Sequence, residues 1–228
     1  MPFDELPFGG MAGAFLLAFP ALFSIVNPLG GALIFSQVLA DRTHAERVRI
    51  ARRVGLYSLV VLLASLSIGA YVLHFFGITI GALRVAGGLV VAVRAWNMLN
   101  APEALEAKKE RQAAPASNLD DAAFFPLTMP FTTGPGTISV AIALGSARPT
   151  GPGLWWFAAG VAAAAAANAA IVWIAYGAAD RLTDLLGTAG TRVVSRLSAL
   201  LLLCIGVQIL SAGVQDLLVP ILRAARAG

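Results

Sequence analysis

Long stretches without a charged side chain constrain this sequence more than any other feature. Five of them contain 19 residues or more, at residues 6–40, 54–83, 122–147, 149–179 and 197–215. A helix needs about 20 mostly apolar residues to cross a bilayer. Charged residues make up 12% of the chain, about half their share in a soluble domain, so the chain cannot cover a water-exposed surface. The sequence therefore predicts an all-α polytopic membrane protein whose main partner is the lipid bilayer.

The apolar pattern divides into six predicted transmembrane helices. They cover residues 12–39, 54–76, 78–99, 122–146, 154–176 and 193–217. Trp155 and Trp156 open the fifth span and Tyr176 closes it, as expected for aromatic residues at a water–lipid boundary. The charged stretch 100–121 separates residues 1–99 from residues 122–228. We therefore expect two three-span units joined by a cytoplasmic linker.

The distribution of Lys and Arg predicts how these spans are oriented. The connections on one side carry ten of these residues, whereas the other side, which includes both termini, carries three. Cytoplasmic loops carry the excess of Lys and Arg in membrane proteins. The expected location is the bacterial inner membrane, with both termini in the periplasm.

The side chains present exclude several classes of function. The single cysteine, Cys204, cannot form an intramolecular disulfide, and the chain has no Cys/His cluster for a metal. Its basic residues lie beside apolar spans, where they set topology rather than bind nucleic acid. The acidic residues lie in tails, loops or span ends, and His74 is the only histidine in a span. Because general acid–base catalysis needs a titrating group beside the substrate, we expect no catalytic residue, metal or cofactor.

Prolines interrupt the first span of each unit at corresponding places. Laying residues 19–30 against residues 125–136, with one residue of slippage, brings Pro28 onto Pro135. Each unit has three spans, so the second copy must insert with the opposite orientation. Inverted repeats with broken helices are typical of transporters and indicate where the substrate binds. Chance similarity between Gly/Pro-rich helices, or prolines that only kink a helix, are the alternatives.

The residues at the two breaks suit a small ligand that carries one positive and one negative charge. A helix that restarts presents unpaired N–H groups, which attract an anion, and a helix that ends exposes carbonyl groups, which suit an ammonium group or a sodium ion. Glycine allows the backbone to approach a ligand closely. The predicted substrate-binding residues are Asn27, Pro28, Gly30, Gly31, Thr132, Thr133, Gly134, Pro135, Gly136, Thr137 and Ser139. The predicted substrate is a small zwitterion.

No acidic residue is placed at the middle of a predicted span. A proton-coupled transporter commonly uses a carboxylate at that depth. If transport is coupled to an ion, sodium held by carbonyl and hydroxyl oxygens therefore fits the sequence better than a proton.

The motifs at the breaks resemble those of the MarC family of integral membrane proteins. The resemblance lies in Asn-Pro-Leu-Gly at 27–30, in Thr-Thr-Gly-Pro-Gly-Thr-Ile-Ser at 132–139, in Asp-Arg-Thr at 41–43 and in Ala-Gly-Gly-Leu at 86–89. It implies a six-span inner-membrane protein, some members being similar to transporters of small neutral amino acids. The residues carried over from the family pattern are Asn27, Pro28, Gly30, Gly134, Pro135, Gly136 and Ser139.

Two departures from the family pattern concern the substrate. This chain has Ala32-Leu33 where the family often has a proline, and its third span ends with Arg94 and Asn97, where the family is more apolar.

The function predicted is transport of small solutes, most of all small neutral amino acids, by alternating access around two broken helices. The alternative is a membrane assembly or sensory component that transports nothing. Gly/Ala-rich faces leave open a homo-oligomer.

Overall fold

The regular structure in the described part of the chain is helical. The computed structural model describes residues 10–100, 123–149 and 151–227. We number its helices α1 (Met11–Val26), α2 (Pro28–Val38), α3 (His44–Phe75), α4 (Ile80–Asn100), α5 (Pro135–Ser146), α6 (Leu154–Gly177) and α7 (Ala179–Ala227). The segment Ala123–Thr132, here called the proline segment, precedes α5 and contains Pro126 and Pro130. The predicted linker lies, from residue 101 onwards, outside the described residues.

Within the described residues, four helical stretches are long and apolar enough to cross a membrane. They are Met11–Ser36, which contains the break between α1 and α2, and Leu154–Gly177, His44–Phe75 and Ala199–Arg223. The other two predicted spans differ from these four. The third corresponds to α4, which carries Arg84 and Arg94 among its apolar residues, and the fourth consists of the proline segment and the shorter apolar helix α5.

Local capping residues explain where two helices begin. Thr43 and Glu46 form a capping box at the start of α3, in which each side chain bonds to the backbone N–H of the other residue. Thr79 Oγ1 accepts a hydrogen bond from the N–H of Ala82 at the start of α4. These side chains satisfy donors that have no partner inside the helix. Within α7, Gly187 has a positive φ of 62°, which divides that helix in two.

Glycines allow close contact between antiparallel α4 and α7. A Cβ atom on Gly88 would lie 2.5 Å from the backbone nitrogen of Leu210, and one on Gly206 would lie 2.6 Å from that of Ala92. Gly213 in turn lies against Val85. As the contact position advances along α4, its partner moves back along α7, so the two helices run in opposite directions.

Helices α3 and α6 also pack in opposite directions. Arg47, near the start of α3, forms an ion pair with Asp180, which follows α6. A Cβ on Gly55 would lie 3.1 Å from the carbonyl oxygen of Ala169. Two buried clusters form beside this pair. One surrounds Phe35, Val54, Leu127 and Tyr176, and the other surrounds Leu22, Leu62, Phe157 and Val161.

Candidate functional site

The first break occupies a single residue between α1 and α2. Asn27 has φ 48° and ψ 64°, and its N–H donates to the carbonyl oxygen of Phe23 at 3.0 Å. Pro28 begins α2, where a proline is favoured because the first N–H of a helix has no partner inside it. Asn27 Oδ1 accepts a hydrogen bond from Gly30 N–H at 3.3 Å. Asn27 therefore ends one helix and caps the next.

The second break is longer, and its non-helical backbone begins at Phe125, before its first predicted binding residue, Thr132. Phe125 and Met129 have extended backbones within the proline segment, and the peptide bonds that follow them, to Pro126 and Pro130, are cis. The backbone is extended again at Gly134, and α5 starts at Pro135. Pro135 thus has the same place in α5 as Pro28 has in α2.

Threonine hydroxyl groups donate to backbone carbonyls within the second break. Thr128 donates to Ala123 O at 2.7 Å, and Thr132 donates to Leu127 O at 2.8 Å. Thr133 contributes both its N–H and its hydroxyl to the Thr128 carbonyl, at 2.8 and 3.1 Å. Each carbonyl acceptor belongs to the residue five positions before its threonine donor. A proline-rich backbone can stay buried in this way, because its polar groups are paired within the protein.

Residues from both breaks line one open cavity. The cavity is open to its surroundings, and about 60 Å³ of it is accessible to the centre of a water molecule, several times the roughly 10–15 Å³ that one bound water needs. The predicted residues that line it are Asn27, Gly30, Gly31, Gly134, Pro135, Gly136 and Thr137. The structure therefore brings together two segments more than 100 residues apart in the sequence.

The other predicted residues lie beside the cavity rather than along it. Thr132, Thr133 and Ser139 are buried, and Ser139 donates to the Gly136 carbonyl at 2.8 Å. Pro28 is buried at the start of α2. The structure assigns these side chains to holding the breaks in shape.

Sequence reasoning missed most of the apolar wall. The remaining lining residues are Ile25, Val26, Ile34, Val90, Val91, Pro130, Phe131 and Leu202. They come from α1, α2, α4, α7 and the segment before α5, and nothing in their local sequence distinguishes them from lipid-facing residues. No charged residue lines the cavity within the described chain.

The two helix ends at the cavity have opposite electrostatic character. α1 ends at Val26, and a helix leaves its last carbonyl groups without partners inside it. α5 begins at Pro135 with no side-chain cap, and its first intrahelical bond runs from Ile138 N to Gly134 O at 3.0 Å. The N–H groups of Gly136 and Thr137 therefore have no acceptor within α5. Helix termini carry partial charges, negative at the end and positive at the start.

Tyr176 connects the two breaks on one side of the cavity. Its hydroxyl group lies 2.9 Å from Thr132 Oγ1, and its ring packs against Phe35 with centroids 4.8 Å apart. A Cβ on Gly31 would lie 2.2 Å from the same hydroxyl group, so only glycine fits there. The sequence suggested Tyr176 as an interfacial aromatic residue, but the side chain is buried.

Similarity to known proteins covers both breaks. The profile of MarC family integral membrane proteins matches residues 12–218. The chain belongs to the MarC family. The inner membrane protein MarC of Citrobacter koseri is 32% identical over 212 residues, covering 89% of this chain and 94% of the relative. That of Salmonella typhimurium is 32% identical over 211 residues, with the same coverage. No solved structure matches the chain.

An archaeal relative extends the similarity beyond bacteria. A membrane protein of Methanocaldococcus jannaschii is 30% identical over 206 residues, covering 90% of this chain and 97% of the relative. The resemblance predicted from the motifs at 27–30 and 132–139 is thus confirmed. The protein is an integral membrane protein, and the names of its bacterial MarC relatives support an inner-membrane location.

Proposed function

We propose that this MarC family protein transports a small neutral amino acid, bound as the zwitterion between its two helix breaks. The observation that carries the proposal is the cavity shared by both breaks, in which the end of α1 faces the uncapped start of α5. A zwitterion has no net charge, so it does not require a charged side chain. Its two charges do require partners of opposite sign, and the two helix ends provide them.

The asymmetry between the breaks assigns each end of the substrate. At the start of α2, the Asn27 side chain already caps the backbone. At the start of α5, the Gly136 and Thr137 N–H groups have no side-chain cap, so the substrate carboxylate binds there. The ammonium group then lies beside the last carbonyls of α1 and Asn27 Oδ1. The apolar residues Val90, Val91 and Leu202 leave room for a small side chain.

The six-span arrangement as two inverted repeats is part of the proposal. We pair the first span (α1 and α2) with the fourth (the proline segment and α5), α3 with α6, and α4 with α7. This exchange leaves the α3–α6 and α4–α7 contacts in place. Under the exchange, the contact between the first span and α6 corresponds to the contact between the fourth span and α3. The contact between α4 and α5 corresponds to the contact between α7 and α2. All of these pairs are in contact.

Alternating access follows from this exchange. If the repeats adopt each other's conformation, a cavity open to one side of the membrane becomes open to the other. The excess of Lys and Arg orients the termini toward the periplasm. Sodium is the proposed coupling ion, because the cavity offers carbonyl and hydroxyl oxygens and no carboxylate.

Thermal unfolding of the purified protein with matched ligands tests the proposal. The panel is glycine, alanine and serine, compared with alaninamide, which lacks the carboxylate, and propionate, which lacks the ammonium group. At about 100 times its dissociation constant, a true ligand should stabilise the protein by about 2.7 kcal/mol. We expect the amino acids to do this and the two analogues to fail, with a larger effect in sodium than in potassium.

Flux in proteoliposomes distinguishes transport from binding alone. We expect uptake of labelled alanine by the native protein and reduced uptake by Asn27→Gly, which keeps the backbone conformation and removes the side-chain oxygen. Gly177→Ala is the control, because a Cβ there would have no neighbour within 4 Å. An unresponsive ligand panel together with no flux would overturn the proposal in favour of a non-transporting role. Equal stabilisation by alanine and propionate would overturn the assigned binding polarity.

A further inference from the structure

A second cavity lies away from the breaks, between α3, α5 and α6. It measures about 700 Å³, including space open to its surroundings. Its wall is largely apolar, with Leu63 and Leu66 from α3 and Phe157 and Val161 from α6. Arg148, in the connection between α5 and α6, is its only charged lining residue in the described chain.

Arg148 has no carboxylate partner among the described residues. Its guanidinium carbon lies 4.8 Å from the centroid of the Tyr71 ring, a cation–π contact that positions the group without neutralising it. Asp180 and Asp216 pair with other basic residues instead. A guanidinium group with unused donors at the mouth of an apolar cavity is suited to bind an oxyanion.

Aromatic residues place this cavity at the membrane boundary. Trp155 lines it, and the Trp155 and Trp156 side chains are 80% and 61% exposed. Tyr71, beside Arg148, is also exposed. Tryptophan and tyrosine concentrate at the depth of the lipid headgroups. At that depth Arg148 meets phosphate groups, while the apolar wall extends toward the acyl chains.

We propose that this cavity binds an anionic phospholipid, with its phosphate on Arg148 and an acyl chain against α3 and α6. Arginine forms paired hydrogen bonds with phosphate oxygens, and burial of acyl methylenes in the cavity adds an apolar contribution. A lipid whose net charge is negative is favoured over a zwitterionic one, because Arg148 pairs with no acidic side chain among the described residues.

The described residues of a second copy fit the cavity less well than a lipid. A protein partner would need an acidic residue to meet Arg148. On the side of the membrane predicted for Arg148, the acidic residue of the described chain is Asp216, and this is already paired with Arg84. A phospholipid supplies both the anion and the apolar chain in one molecule.

Native mass spectrometry of the delipidated protein tests the site. The probes are phosphatidylglycerol and phosphatidylcholine with identical acyl chains, each added to the detergent-solubilised protein. We expect phosphatidylglycerol to bind about fivefold more tightly, the effect of roughly one basic residue at an anionic headgroup. Arg148→Gln should abolish this preference, and Arg148→Lys should retain part of it. Ala158→Trp, which fills the cavity, should reduce binding of both lipids.

Arg223→Gln is the matched control, since Arg223 is an exposed arginine predicted on the same side of the membrane. It should leave the preference unchanged. Loss of preference in Arg223→Gln equal to that in Arg148→Gln would show a general charge effect and overturn the proposal. Lipid binding unchanged in both Arg148→Gln and Ala158→Trp would overturn it as well. So would dimers that lipid does not displace and that Ala158→Trp abolishes, because they would identify a second copy as the occupant.

Discussion

The two helix breaks begin from similar residues and reach different structures. At the first, one left-handed residue, Asn27, ends α1 and caps α2 with its own side chain. At the second, the backbone from Ala123 to Thr132 leaves the helix twice, and three threonine hydroxyls bond to carbonyls five residues earlier. The start of α5 has no side-chain cap.

This difference indicates that the first break is stabilised locally, whereas the second break has polar groups available for a ligand. The first break satisfies its backbone from within a few residues. The second break depends on a distant residue, since Thr132 contacts Tyr176 of α6, and it leaves N–H groups facing the cavity. A transporter needs polar groups that only the substrate satisfies. We therefore infer that the first break is the more rigid of the two and that the second is the more sensitive to substitution.

The largest effect is expected at the glycine before α5. A Cβ on Gly134 would lie 2.5 Å from the carbonyl oxygen of Pro130, so Gly134→Ala forces the backbone of the second break to move. Overpacking of this kind costs roughly 1–3 kcal/mol, and we expect a matching loss of thermal stability in detergent. Gly177→Ala, with open space around its Cβ, should be nearly neutral. Equal behaviour of the two variants would contradict the close packing assigned to the second break.

Thr132 forms one hydrogen bond within the second break and one to Tyr176 of α6, so substitutions at these two residues compare local with long-range stabilisation of the break. Thr132→Val leaves the buried carbonyl of Leu127 without its hydroxyl partner, at a cost of roughly 1–3 kcal/mol. Tyr176→Phe removes the contact between the two hydroxyl groups and keeps the ring, and we expect a loss of about 1 kcal/mol. Chemical unfolding in mixed micelles measures both. Tyr71→Phe is the control, because its ring is exposed and its contact with Arg148 uses the ring face. A larger loss in Tyr176→Phe than in Thr132→Val would reverse the proposed order.

The sequence predicted where the breaks occur better than what they look like. Pro28 and Pro135 do begin the restarting helices, because proline is tolerated only in the first turn. The extended backbones at Phe125 and Met129 follow a local rule that the sequence prediction left out, because the residue before a proline is disfavoured in the helical region. The hydroxyl groups of Thr132 and Thr133 were predicted to face a ligand. The structure shows them bonded to backbone carbonyls, which a string of residue types does not reveal.

The packing of α4 against α7 was not predicted from the sequence. In the structure, Gly88 packs against Gly206, and Arg84 forms an ion pair with Asp216. Glycine spacing determined the approach of these helices, because the backbones can only come this close where no Cβ intervenes.

A smaller effect is expected at Asn27, and two substitutions distinguish its backbone from its side chain. Asn27→Ala puts an alanine in a left-handed conformation and removes the cap, which together cost about 1–2 kcal/mol. Asn27→Gly removes the cap alone and should cost only a few tenths of a kcal/mol. Thermal unfolding without ligand gives both values. If Asn27→Gly is as damaging as Asn27→Ala, the side chain has a structural role beyond the cap and the first break is less self-sufficient than proposed.

The smallest effect concerns the loops that follow the two breaks. After the first break, Arg47 and His44 contact Asp180, which ties the start of α3 to the start of α7. After the second, Arg148 lies over the Tyr71 ring and forms no ion pair with a described residue. Burial acts to raise the pKa of Asp180, but the hydrogen bond from His44 and the charge of Arg47 outweigh it, so the pKa lies below its usual value.

A carboxyl group with a lowered pKa stabilises the folded state above its unfolded pKa of about 3.9, and this contribution is lost as the pH falls through the lower folded value. Asp180→Asn should therefore cost up to about 1 kcal/mol at neutral pH, since the pair is partly exposed, and the cost should shrink in acid. Thermal unfolding between neutral and acidic pH measures the difference, with the exposed Asp184→Asn as the control. If the cost of Asp180→Asn stays constant as the pH falls, Asp180 acts through packing. The contact between the start of α3 and the start of α7 would then not be electrostatic.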